Sequence, residues 1–189
     1  MENNISRKEL IRQKIEEEEK KELLQLSGIR MKVWQFLTKD KGFSKEEILI
    51  DPEFELKLSD CIIKVSIDFI IKLNNSEAML IRCSPTSIES WERYILAFAR
   101  VIKETQIPYA AVTDGERARI MDVLTGKVIG ERIEDLPSKD ELCRAIQNLK
   151  PSAFPSERLE REKRIVYAFE GVKCEVRLKA EEIRLKAIG

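Results

Sequence analysis

From Cys61 to Pro85 the chain reads CIIKVSIDFIIKLNNSEAMLIRCSP, two alternating runs around a short polar break, and a strict period of two forces a β-hairpin with one face in a core. In the first run Cys61, Ile63, Val65, Ile67, Phe69, Ile71 and Leu73 share one parity, and Lys64, Ser66, Asp68 and Lys72 share the other. The second run sets Met79, Ile81 and Cys83 against Arg82 and Ser84. A three-residue loop, Asn74-Asn75-Ser76, in which asparagine tolerates positive φ, pairs Ile67 with Cys83, Phe69 with Ile81 and Ile71 with Met79. It also places Asp68 opposite Arg82. A slip of one residue would set apolar against polar along the whole hairpin.

The flanks pack around this hairpin. Residues 5–27 read as a helix entered through a capping box, Ser6 with Glu9, whose charged centre from Glu16 to Glu22 favours a solvated arm docked at its ends, with a coiled coil as the alternative. Gly28 suggests a break before a short apolar helix carrying Ile29, Val33, Trp34, Phe36 and Leu37, which Gly42 ends. Ser44 and Glu47 form another capping box before a strand from Glu53 to Leu58. After Pro85, Thr86 with Glu89 starts a helix with the stripe Ile88, Trp91, Ile95, Phe98, Val101 and Ile102. Tyr109 to Val112 is a buried strand, Asp114-Gly115 a tight turn, and Thr125-Gly126 a two-residue hairpin loop. A helix between two strands of one sheet implies a right-handed crossover and parallel pairing. Ser138 and Glu141 cap a helix ending near Leu149. Past Pro151 and Pro155, Ser156 opens a charged helix with Leu159, Ile165, Val166 and Phe169, and Gly171 precedes a last amphipathic segment. The predicted organisation is an arm over 1–28, a core over 29–136 and C-terminal helices over 137–189, in an α+β fold: an α/β/α sandwich whose mixed sheet holds a three-strand antiparallel meander, begun by Glu53 to Leu58, and a helical crossover.

Composition excludes several chemistries. The chain has no histidine, which removes Ser-His and Cys-His nucleophile systems and His-bound metals. Lys plus Arg and Asp plus Glu balance at 34 each, so any attraction for nucleic acid has to be local. The four cysteines are far apart with no CxxC pair, and they read as thiols. No apolar run approaches the ~20 residues of a membrane span, and the charged N-terminus is unlike a signal peptide, so the expected location is the cytoplasm.

Four stretches carry a family likeness: Gly42-Phe43 leading to Asp51; SIDFII around Asp68; IPYAAVTDGERARIMDVLTGKV; and REKRIVYAFEGVKC. In this order they resemble the N-terminal nuclease domain of type I restriction enzyme R subunits, within the PD-(D/E)xK restriction-endonuclease-like superfamily, over roughly Val33 to Cys174. The resemblance implies DNA cleavage by an Asp and a Glu-x-Lys on the next strand, with carboxylates holding Mg²⁺. Asp68 matches the Asp and Asp51 the upstream acid, but Arg82-Cys83-Ser84 stands where Glu-x-Lys should be. Arg82 and Ser84 therefore mark a remnant catalytic site, with Asp68 as metal ligand only in an active enzyme.

An Asp68 to Arg82 ion pair reads either as a substitute for the cation or as an ordinary cross-strand bridge. Lys64 and Lys72 share the face of Asp68 but lie about 13 Å along a strand from it. Glu89, Glu92 and Lys103 are the candidates for a rebuilt site. The expected function is a catalytically inactive nuclease-like module without a cofactor, binding DNA weakly and non-specifically through Lys64, Lys72, Arg82 and Arg93, or binding a protein partner, a second copy included. The alternative is a Mg²⁺-dependent endonuclease with a rearranged site. No membrane role is expected.

Overall fold

A computed structural model describes residues 7–170 apart from 60, 148 and 151. Its centre is a six-stranded mixed sheet: β1 (Ile48–Ile50), β4 (Phe69–Leu73), β5 (Ser76–Cys83), β6 (Tyr109–Thr113), β7 (Arg117–Asp122) and β8 (Lys127–Arg132), adjacent in that order. A separate antiparallel pair joins β2 (Glu53–Lys57) to β3 (Ile62–Ser66). The parity of the hairpin sorts the core. Phe69, Ile71, Met79 and Ile81 face the helices α1 (Arg7–Gln35) and α3 (Lys139–Gln147), while Ile70, Leu80, Ala110 and Val112 face α2 (Glu92–Val101) and α4 (156–170). Helices on both sides of a mixed sheet make the α+β sandwich expected from the sequence.

The hairpin register holds where it matters, Phe69 pairing with Ile81 and Ile71 with Met79. Its ends differ. The loop is two residues, Asn74 and Asn75, both at positive φ (51° and 63°), and a bulge between Ile71 and Lys72 restores the register, bringing Leu73 opposite Ser76. Two left-handed residues twist the turn to match the strands, which a three-residue loop need not do. The long first strand is broken at Ile67 and Asp68, because β3 leaves the main sheet to pair with β2. The expected antiparallel meander does not form as one sheet: Ile48–Ile50, a strand of its own, lies beside β4 where Glu53 to Leu58 was expected, and β2 pairs with β3 alone.

Helix α1 runs without interruption through Gly28. One glycine costs about 1 kcal/mol against alanine, less than the docking of Ile29 and Val33 on the sheet returns. A π-helical turn over Phe36–Asp40 ends it, and Gly42 at φ +78° reverses the chain as expected. The Ser44–Glu47 and Ser138–Glu141 caps are both made. Thr86 does not cap α2. Ser87 bonds Glu89 instead, and a single tight turn over Glu89–Trp91 leads into the helix, which ends at Val101, earlier than Thr105. Helix α3 likewise ends at Gln147, short of Leu149. The turn between β7 and β8 takes four residues, 123–126, where two were expected, closed by the Gly126 amide on the Asp122 carbonyl at 2.8 Å. Ser6 and the segment after Gly171 lie outside the described residues.

The crossover through α2 joins β5 to β6 in parallel, with Arg82 beside Val112 and Cys83 beside Thr113. Tyr94, Ile95, Ala97, Phe98 and Ala99 are all buried, and full burial of each larger side chain contributes about 1.5–3 kcal/mol. At Asp114-Gly115, Asp114 Oδ1 accepts the amides of Glu116 and Arg117, and Gly115 at φ +90° passes so close to α1 that a Cβ would lie 3.3 Å from Lys32 Cδ.

Candidate functional site

The break between β3 and β4 is what builds the site. Since Asp68 precedes β4 instead of lying within it, its carbonyl is available to the Asp51 amide at 3.0 Å, which locks the two acidic residues side by side. Asp51 follows β1 at φ +50°, a left-handed conformation that aspartate tolerates better than most residues. The Asp68 carboxylate then accepts the Cys83 amide at 2.9 Å through Oδ2.

The cation opposite these carboxylates is Arg30, and it comes from α1. Its Nε lies 3.2 Å from Asp68 Oδ1 and its Nη2 2.5 Å from Asp51 Oδ1, so one guanidinium spans both acids. Its carbon sits 5.8 Å from the Phe69 ring centre. The Asp68 side chain is only 13% exposed. Burial pushes its pKa above the ordinary value, against the pull of the Cys83 amide and of Arg30 and Arg82.

The predicted Asp68 to Arg82 pair is not formed. Arg82 points to the other side of the sheet, where its guanidinium stacks 3.8 Å over Trp91 and 4.8 Å from Tyr94 and reaches Glu170 of α4 at 3.5 Å. The reason is the strand break: with Asp68 outside the ladder, the residue opposite Arg82 on the β4 side is no longer on a shared pleat. Glu170 also accepts the Tyr94 hydroxyl at 2.9 Å, and Phe169 closes against Trp91 and Tyr94. Arg82 Nε is buried without a hydrogen-bond partner among the described residues. Ser84 is buried too, its amide on the Thr113 carbonyl and its hydroxyl 3.1 Å from that of Thr86.

Arg93 is held by Glu162 of α4 through both guanidinium amines, and Arg100 lies 3.6 Å from the same carboxylate, which is 5% exposed. Burial raises the Glu162 pKa, but the Arg93 hydrogen bonds and the charges of Arg93 and Arg100 outweigh it and hold the group below its usual range. Lys64 lies on the exposed face of β3 opposite Glu55, and Lys72 near the far end of β4 opposite Glu77. Neither forms an ion pair among the described residues. The groups considered for a rebuilt site are engaged elsewhere: Glu89 with Arg117, Glu92 with Arg119, Lys103 with Glu77.

Sequence reasoning missed Arg30 and the two carboxylates of α4. The signals were present: Arg30 directly follows the core position Ile29 and lies one turn before the half-buried Trp34, and Glu162 lies on the stripe Leu159, Val166, Phe169, where a carboxylate needs a partner. Asp51 and Asp68 alone do not fit a divalent cation. A hard cation needs several oxygens, the space between these two is spanned by a guanidinium, and no group of three His, Cys, Asp or Glu that could hold a metal occurs among the described residues. No helix of the described residues is long and apolar enough to cross a membrane.

A family model described as Type I restriction enzyme R protein N terminus matches residues 27–137. No curated protein and no solved structure matches the chain. The matched span opens three residues before Arg30 and takes in Asp51, Asp68, the whole sheet and α2, while most of α1 and both C-terminal helices fall outside it. With more than half of its length matched, and the match coinciding with the mixed sheet and its acidic pair, the chain belongs to the family of type I restriction enzyme R protein N-terminal domains.

Proposed function

We propose that this protein is a restriction-endonuclease-like module that has lost PD-(D/E)xK cleavage chemistry and acts by binding. The observation that carries the reading is Arg30, a fixed organic cation across Asp51 and Asp68, where the resemblance implies an ion. With Arg82 and Ser84 at the Glu and Lys positions, neither the second strong ligand nor the lysine that would activate water is present. The test is incubation with duplex, single-stranded and nicked DNA in Mg²⁺ or Mn²⁺. No cutting above background is expected, and metal-dependent cutting abolished by Asp68→Ala would overturn the reading in favour of an endonuclease with a rearranged site.

The binding target this reading favours is a protein. An open groove of about 560 Å³ runs between α1 and the outer edge of β1, lined by Leu23, Leu26, Met31, Trp34, Ile50 and Phe69, with Arg30 and Asp51 at its end. Exposed apolar side chains gathered in one groove suit an apolar peptide segment. DNA is the second reading, supported by Arg82, Arg93 and Arg100, whose partners are carboxylates standing where phosphate oxygens could stand. On that reading affinity is weak, and it falls steeply with salt.

A further inference from the structure

Helix α1 contains no buried residue before Ile29, so residues 7–25, a rod of about 28 Å at 1.5 Å per residue, have every side chain exposed. An exposed helix of this kind is held by i,i+4 pairings of opposite charge, which the sequence offers at Glu16 with Lys20, or by a neighbour lying along it, and its exposed Leu10, Ile11, Ile15, Leu23 and Leu24 leave apolar surface for such a neighbour. Glu18 with Lys21 is the ion pair within this arm among the described residues. The face continuous with Ile29 and Val33 runs outward through Glu22, Glu19, Glu18, Ile15, Arg12, Ile11 and Lys8, at spacings of three and four.

That face is symmetric in position about Ile15, and its mirrored positions carry opposite charges except where Ile11 mirrors Glu19. Turning a second copy end for end places Lys8 over Glu22, Arg12 over Glu18 and Ile15 over Ile15; on the flanks Glu9 meets Lys21 and Lys14 meets Glu16. A parallel alignment would instead set Glu18 on Glu18 and Glu22 on Glu22. The half-exposed Ile15, meeting its own copy, gives the pair an apolar centre, flanked by Ile11 beside the stem of Glu19. Ile29, the first buried residue, lies seven residues beyond Glu22, so in this alignment the two cores sit at opposite ends of the pair.

We infer that the arm is a self-association element in which two copies of this chain pair antiparallel through the face Lys8, Ile11, Arg12, Ile15, Glu18 and Glu22. The inference is independent of whether the remnant site cuts DNA. Since the contacts are mostly exposed ion pairs, the dimer is weak and salt-sensitive, its dissociation constant rising by about tenfold or more from low to high salt.

The experiment is sedimentation equilibrium of the full chain at low salt, with two charge-reversed variants whose helicity is checked by circular dichroism. Lys8→Glu/Arg12→Glu alone and Glu18→Lys/Glu22→Lys alone should each be monomeric, and an equimolar mixture should dimerise. Orientation is read by oxidising a mixture of Lys8→Cys and Glu22→Cys proteins, which should cross-link to each other and not each to itself, with unsubstituted protein as the background. A chain monomeric at every concentration, a dimer indifferent to the reversals, or cross-links between identical positions would overturn the inference. So would a dimer that appears only on deleting residues 171–189, which would make that tail the occupant of the face.

Discussion

Arg30 does at one residue what a cation would do for two carboxylates, and its removal should expose the cost. Arg30→Ala leaves Asp68 nearly buried with the Cys83 amide and the more distant charge of Arg82 to stabilise it, for an expected loss of about 1–3 kcal/mol at neutral pH by urea denaturation. Adding Asp68→Asn should return most of it, because the charge that needs a partner is gone. The pH dependence has a definite sign. The folded state holds the Asp68 proton more tightly than the unfolded chain does, so this group favours folding at acid pH and loses that contribution as pH rises through its raised folded value. The deficit of Arg30→Ala should therefore shrink on acidification, and a deficit constant from pH 7 to pH 4 would contradict the account. Asp68 itself was legible from its lone place among apolar residues. Its partner was not, since residues 30 and 68 meet only through docking of α1 on the sheet.

Helix α4 is tied to α2 by carboxylates, and the linkage there runs in the opposite direction. Glu162 is held below its ordinary range by Arg93 and Arg100, so its contribution is present above the unfolded carboxylate range and lost as pH falls through the depressed folded value. Glu162→Gln should lower the melting temperature at pH 7 and flatten its decline toward acid, which a thermal melt series from pH 7 to pH 3 would read. The same element bears on DNA. In Glu162→Gln/Glu170→Gln three arginines lose their carboxylate partners, and affinity for a fluorescent duplex at low salt should rise by about tenfold or more, with a steeper salt slope. An unchanged affinity would leave the groove beside α1 as the binding face. The apolar stripe of α4 is readable from its spacing, but which helix its acidic side chains meet depends on how α2 lies across β5 and β6.

For the molecule as a whole, the core and the arm are separable in energy. Deleting residues 1–22 removes no buried side chain among the described residues 7–22, so chemical denaturation should show a stability within about 0.5 kcal/mol of the full chain, while self-association at low salt disappears. A large destabilisation would mean that the arm supports the core directly. What the sequence determined by itself is whatever depends on local periodicity and turn chemistry: the hairpin and its central register, the parallel crossover through α2, and the caps at Ser44 and Ser138. These follow from a few neighbouring residues, whose spacing alone decides which face is apolar. The tertiary structure alone decided the pairings. Whether β3 stays in the main sheet depends on competition from β2, and that choice freed Asp68 from Arg82, gave Asp51 to Asp68 and Arg30 to both, and turned Arg82 toward Trp91 and Glu170. A charged side chain takes whichever opposite charge the packed elements bring within reach, and that distance is set by contacts far apart in the chain.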